Sequence, residues 1–145
     1  MSADGATAST GGCLCGAVRY EVRGRLRQVV NCHCSQCRRS HGHYAAYAAV
    51  KSADLAMTAE DGLTWYRSSD KARRGFCSVC GSSLFWAPQD LDYWAVSAGS
   101  LDPPTGLETV AHIFVADKGD YYDIDDELDR HDRGMTAAAR QDGIV

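Results

Sequence analysis

The stretch GGCLCGAVRYEVRG, residues 11–24, holds two signals side by side. Its second half alternates Val18, Tyr20 and Val22 with Arg19, Glu21 and Arg23, the period-two pattern of a strand with one face buried. Its first half sets Cys13 and Cys15 one residue apart, so a pair of thiols is tied to whatever sheet that strand joins. Working outward, further strand candidates are LRQVVN (26–31), HYAAYAAV (43–50), LTWYRS (63–68), ARRGFC (72–77), SSLFWA (82–87), YWAVSAGSL (93–101) and TVAHIFVA (109–116). Eight short strands separated by Gly, Ser, Asp and Pro turns predict a mainly β, antiparallel barrel or sandwich. SADLAMTAEDG (52–62) reads as a helical turn or a loop.

The chain has 145 residues, 45% of them hydrophobic, enough for one domain with a real core and too few for two. Residues 1–10 read as a disordered leader, 11–118 as the domain, and 119–145 as an acidic, partly disordered extension in which DYYDIDDELDRHDRG (120–134) offers a short helix. No window approaches a membrane span, and the first ten residues lack the basic and apolar regions of an export signal, which together predict a cytoplasmic protein. Residues 1–51 carry seven Lys/Arg against two acids and the remainder eight against seventeen.

Seven cysteines without an export signal argue for metal over disulfides, since the cytosol keeps thiols reduced and an odd number leaves one unpaired. They divide as four and three. Cys77-x-x-Cys80 followed by Gly81 has the form of a zinc knuckle, which supplies two ligands; Cys13 and Cys15 complete a closed four-thiolate structural site if their strand lies near Cys77. Cys32, Cys34 and Cys37 have no fourth cysteine, and three protein ligands with one open position is the arrangement of catalytic zinc. Water, a substrate sulfur, His33, His41 or His43 are the candidates for the fourth position. His33 lies between two ligands, so its side chain is expected to point away from their metal. For His41 and His43 a solvated or strand-start histidine is the plainer reading. The spacing of Arg19, Arg23, Arg25 and Arg27 fits a solvated face.

Three motifs in order, G-x-C-x-C-G-x-V-x-Y at 11–20, C-H-C-x-x-C-R-x-x-x-G at 32–42 and R-x-F-C-x-x-C-G-S-x-L at 74–84, resemble the glutathione-dependent formaldehyde-activating (Gfa) family, which includes centromere protein V. The resemblance covers about residues 11–116. It implies a β-tent fold with two Zn2+ per chain, structural at Cys13, Cys15, Cys77 and Cys80 and catalytic at Cys32, Cys34 and Cys37. It also implies a carbon–sulfur lyase that joins glutathione to formaldehyde. On that basis His33, Ser35 and Arg38 are candidate donors to a developing alkoxide, and Arg38, Arg39, Arg73 and Arg74 candidate receivers of the glutathione carboxylates. The open site is expected to lose metal before the closed one. A different class of reading is a non-catalytic zinc module or thiol carrier that binds a protein or nucleic acid. A sequence pI near 5.6 argues against nucleic acid, as does the placing of the aromatics inside apolar strand-like runs.

Overall fold

The computed structural model describes residues 8–135. In chain order its elements are β1 (Ser9–Gly12), β2 (Arg19–Val22), β3 (Arg27–Cys32), α1 (Ser35–His41), β4 (Ala45–Lys51), β5 (Leu55–Ala59), β6 (Leu63–Arg67), β7 (Ala72–Cys77), β8 (Ser83–Pro88), β9 (Tyr93–Ser97), β10 (Thr109–Ile113) and β11 (Asp129–Arg130), with three single 3₁₀ turns. A small antiparallel sheet has the order β1-β2-β5, and a large one β11-β10-β3-β4-β9-β8-β7-β6. The mainly β expectation holds. The purely antiparallel one does not, because β10 runs parallel to β3 and β11 parallel to β10.

Three local expectations are corrected. Residues 55–59, read as loop or helical turn, form β5: Leu55, Met57 and Ala59 are half-buried and Ala56 and Thr58 exposed, a strand alternation that the surrounding Ala and Asp obscure. Ser9 and Thr10, assigned to the leader, belong to β1, where they pair with Val22 and Glu21. No helix forms among the described residues after 118. A helix there would set Asp123 against Asp126 and Glu127, like charges at three- and four-residue spacing; the segment is irregular instead and adds the two-residue β11 to the large sheet. Residues 1–7 of the leader and 136–145 of the extension lie outside the described residues. Among the described residues no helix is long and apolar enough to cross a membrane.

Strand parity gives the large sheet two different faces. One face, carrying Val50, Phe85 and Val96, packs on Tyr20 and Val22 of the small sheet to make the main core. Tyr20 is fully buried, meets Phe85 edge-on with ring centroids 5.3 Å apart, and shares a 2.6 Å hydrogen bond with Ser100 Oγ that satisfies its hydroxyl. The opposite face gathers Cys32, Tyr47, Ala95, Trp86 and Ile113 into a second cluster. The pairing of β3 with β4 carries an irregularity: Arg27 faces Ala49, yet Val30 faces Tyr47, three residues on one strand against two on the other. This bulge reverses the alternation, so Arg27 emerges on the same face as Val30 and Cys32.

Candidate functional site

All seven cysteines are free thiols, and they fall into two groups with their sulfurs within 4.8 Å of one another: Cys13, Cys15, Cys77 and Cys80, and Cys32, Cys34 and Cys37. Parity separates them. Cys77 ends β7 on the core side, next to the loop before β2, whereas Cys32 ends β3 on the other face.

The four-thiol group follows from a turn and a strand end. Gly81 takes φ +83° and donates its N–H to Cys77 O at 2.7 Å, closing the turn that presents Cys77 and Cys80. The Val18 N–H donates to Cys13 Sγ at 3.2 Å. Four sulfurs held tetrahedrally at 2.3 Å from an ion stand about 3.8 Å apart. The Cys13–Cys15 and Cys15–Cys77 sulfurs are 3.7 and 3.8 Å apart, so the residues fit such an ion. Cys80 is held down to about 5 by the Ser82 hydroxyl and backbone N–H, which favours the thiolate.

In the three-thiol group, Cys34 is the N-cap of α1, its sulfur accepting from Cys37 N–H at 3.3 Å. Hydrogen bonds from the Cys32 and Cys37 thiols, then from backbone N–H groups, hold Cys34 far below the ordinary thiol range, while the same neighbours and burial push Cys32 up. The trio therefore gathers three sulfurs around one point, a set that could hold a metal ion. Among the described residues no histidine joins the group. His41 Nε2 bonds Tyr47 Oη at 3.0 Å and His43 Nδ1 bonds Tyr121 Oη at 2.7 Å.

Of the arginines named from sequence, the structure brings Arg74 to the thiols. Its Nη2 lies 3.7 Å from Cys37 Sγ and its Nη1 donates to Tyr47 Oη at 3.2 Å. Arg73, its neighbour on β7, points to the other face and lies exposed over the Trp65 ring, 3.8 Å from the centroid. Ser35 and Arg39 are exposed on α1; Arg38 is half-buried with its Nε lacking a partner among the described residues. Tyr47 joins the site through its hydroxyl. It accepts from Arg74, so its hydroxyl proton goes to His41 Nε2, and burial pulls His41 down to about 4, leaving that nitrogen free to accept.

His33 points away from the thiols, as its place between two ligands predicts. It is 1% exposed, and burial first, then the charges of neighbouring groups, holds it down to about 4. Its Nδ1 pairs with Tyr122 Oη at 2.5 Å and its Nε2 with His112 Nδ1 at 2.9 Å; His112 Nε2 in turn meets Asp126 at 3.0 Å. One proton order satisfies every atom: Tyr122 O–H donates to His33, His33 Nε2–H to His112, and His112 Nε2–H to the carboxylate. Both ring nitrogens are thus engaged, and the chain clamps the Cys32–Cys34 segment to the C-terminal extension. Sequence reasoning missed Tyr122, His112 and Asp126; the one available signal was a histidine inside the apolar run TVAHIFVA.

A cavity of about 300 Å³ opens on all three thiols and runs along the second face past Trp86, Ile113 and Phe114 to Arg27. Exposed Gln36 and Ser69 line it as well.

Fold and site together define a small β-sheet protein with two cysteine clusters that could hold metal ions, one of four thiols and one of three. The family model described as glutathione-dependent formaldehyde-activating enzyme matches residues 8–117, and the chain belongs to that family. A Halomonas elongata protein provisionally named a glutathione-dependent formaldehyde-activating enzyme is 31% identical over 142 residues, with 83% of each chain covered. A Schizosaccharomyces pombe protein named an uncharacterized lyase is 27% identical over 124 residues, covering 79% of this chain and 83% of that one. A crystal structure of a Rhodobacter sphaeroides protein superposes with a TM-score of 0.56 at 29% identity, covering 65% of this chain and 88% of that one. Family and names support a lyase-like role at this coarse level.

Proposed function

We propose that the protein is a zinc-dependent carbon–sulfur lyase-type enzyme that forms or cleaves the adduct of a thiol, such as glutathione, with an aldehyde. The observation that carries this reading is the three-thiol group: no fourth protein ligand lies within reach among the described residues, and the group faces a cavity. All-sulfur donor sets suit Zn2+, with Cys13, Cys15, Cys77 and Cys80 as the structural ligands and Cys32, Cys34 and Cys37 as the open set. Zinc in the open set would act as a Lewis acid that holds a substrate thiol as thiolate.

Thiol activation alone is a small effect. A thiol of pKa about 8.5 is roughly 3% ionised at pH 7, and lowering it by about two units raises the thiolate about 25-fold. The accompanying loss of nucleophilicity, at a Brønsted slope near 0.45, takes back about eightfold. Most of the acceleration must come from this chain's own residues, by orienting the reactants and stabilising charge on oxygen. In the forming direction the thiolate sulfur attacks the carbonyl carbon, the π electrons move to oxygen, and the proton lost by the thiol ends on that oxygen. Arg74 is the candidate to stabilise that oxygen, a reading supported by its guanidinium reaching the Cys37 sulfur and the Tyr47 hydroxyl from the cavity wall. Arg38, on the helix that carries Cys37, is a further candidate for a carboxylate of the thiol, as are Ser35 and Arg39, exposed on the same helix. Nothing assigned to a macromolecular partner is needed to account for the site.

The test is a calorimetric titration of glutathione into protein of assayed zinc content, followed by the rate of hemithioacetal formation and breakdown, with Cys34→Ser as control. Binding and a rate change that both vanish in the mutant are expected. Zinc-loaded protein that neither bound thiols nor altered the rate of any adduct would refute the proposal.

A further inference from the structure

Arg27 is 6% exposed, and no ion pair is formed by it among the described residues. Its Nη2 donates to the Tyr47 backbone carbonyl at 2.9 Å and its Nε to Gln28 O at 3.1 Å, both neutral acceptors. Asp129 shares a crevice of about 20 Å³ with it but forms no ion pair. A buried guanidinium without a counter-charge is expensive unless something anionic arrives.

Its placement is specific. Without the β3 bulge, alternation would turn Arg27 to the face opposite Cys32; with it, Arg27 closes the far end of the cavity that begins at the thiols. About four strand steps separate the two, roughly 13 Å along β3. Between them the walls are mostly apolar, with Val30, Trp86, Ala95, Ile113, Phe114 and Met135 joined by the phenol rings of Tyr47 and Tyr93. Phe114 adopts φ 55°, a left-handed conformation rare for an aromatic residue, at the position where it lines this wall. Such walls suit a body richer in carbon than a one-carbon aldehyde, which would leave them uncovered. Met135 comes from the C-terminal extension, beyond the residues 8–117 that match the family model, so the extension adds one side chain to a wall otherwise built within the matched region.

We infer that the aldehyde half of the adduct handled here is an amphipathic acid, an aldehyde with an aromatic or short alkyl body and a carboxylate at its far end, and that Arg27 receives the carboxylate. This rests on the proposed function in taking the three thiols as the reacting end. Arg27 is then the specificity-determining residue, Trp86 and Phe114 flank the body, and the reacting carbon lies at the Arg74 end.

The inference is tested with probes that carry neither sulfur nor aldehyde: 4-phenylbutanoate and its neutral amide, titrated into the zinc-assayed full chain by calorimetry and by the fluorescence of Trp86. The acid is expected to bind roughly 10- to 100-fold more tightly than the amide, as a charge-assisted pair would require. Arg27→Met should abolish that ratio, and Met135→Trp, which fills the cavity from its edge, should weaken both probes at least tenfold. Equal binding of acid and amide overturns the inference. So does a preference that survives Arg27→Met, which would place the carboxylate at the thiol end. Should Arg27→Met not fold, undiminished binding in Met135→Trp overturns it equally. Because the probes cannot undergo the reaction, their failure leaves the lyase reading standing, and failure of thiol binding with these results intact would sink the lyase reading alone.

Discussion

Cys80→Ser and Cys34→Ser each remove one thiol from a cluster, and they should differ sharply in what they do to the fold. The four-thiol group joins Cys15 to Cys77, 62 residues apart, and ties the loop before β2 to the end of β7. Treated as a cross-link, a closed loop of that size restricts the unfolded chain by about 4 kcal/mol. The three-thiol group spans only Cys32 to Cys37, a five-residue loop already shaped by the start of α1, worth about 2 kcal/mol on the same basis. The difference of about 2 kcal/mol corresponds to a midpoint lower by roughly 6–8 °C for a chain of this size. Binding energy adds to the gap: on the order of 10 kcal/mol for a structural zinc is comparable to the whole stability of a domain. The assay is thermal unfolding at matched protein concentration with metal content measured on each sample. Cys34→Ser is expected to unfold no more than about 6–8 °C below the wild-type midpoint with one metal fewer, and Cys80→Ser to unfold at least as far again below that and accumulate poorly. Equal losses, or a lower midpoint for Cys34→Ser, would refute the division into closed and open sites.

Other outcomes are as definite. Arg74→Met should lower the rate constant for adduct formation by about 10²–10³-fold, the scale of losing one donor to an oxyanion, while Arg73→Met, which faces the other side of the sheet, should leave it within a few-fold; steady-state kinetics on both variants checks this. Tyr122→Phe and Asp126→Asn each remove one link of the chain that holds His33; Tyr122→Phe should cost about 1–2 kcal/mol in denaturant unfolding, Asp126→Asn should lower the unfolding midpoint, and both should raise the hydrogen-exchange rates of residues 32–37. Acid should destabilise the fold through its buried histidines. His33 and His41 are each held down to about 4 against about 6.5 unfolded, so between those values the unfolded chain binds more protons and stability falls as pH falls, levelling above about 6.5. Unfolding midpoints measured from pH 4 to 8 should show this slope, reduced in His41→Gln; a slope unchanged in that variant would remove His41 from the account.

The division of the cysteines was legible because ligand counting needs only spacing, and the strands because alternation survives wherever one face is apolar, as in β2. What stayed hidden depends on register. Arg27 reads in sequence as one of an alternating row of solvated arginines; a single extra residue in β3 turns it inward, and no local pattern announces a bulge. Arg73 and Arg74 read as an equivalent pair, and only the pairing of β7 with β8 decides that Arg74 shares the Trp86 face while its neighbour stacks on Trp65. The acidic extension carries no apolar periodicity because its contacts are polar: Tyr122 to His33, Asp126 to His112, and β11 to β10. These features converge on one face of one sheet. The family motifs account for the thiols, and what distinguishes this chain is where a bulge and a parallel edge strand bring its remaining side chains around them.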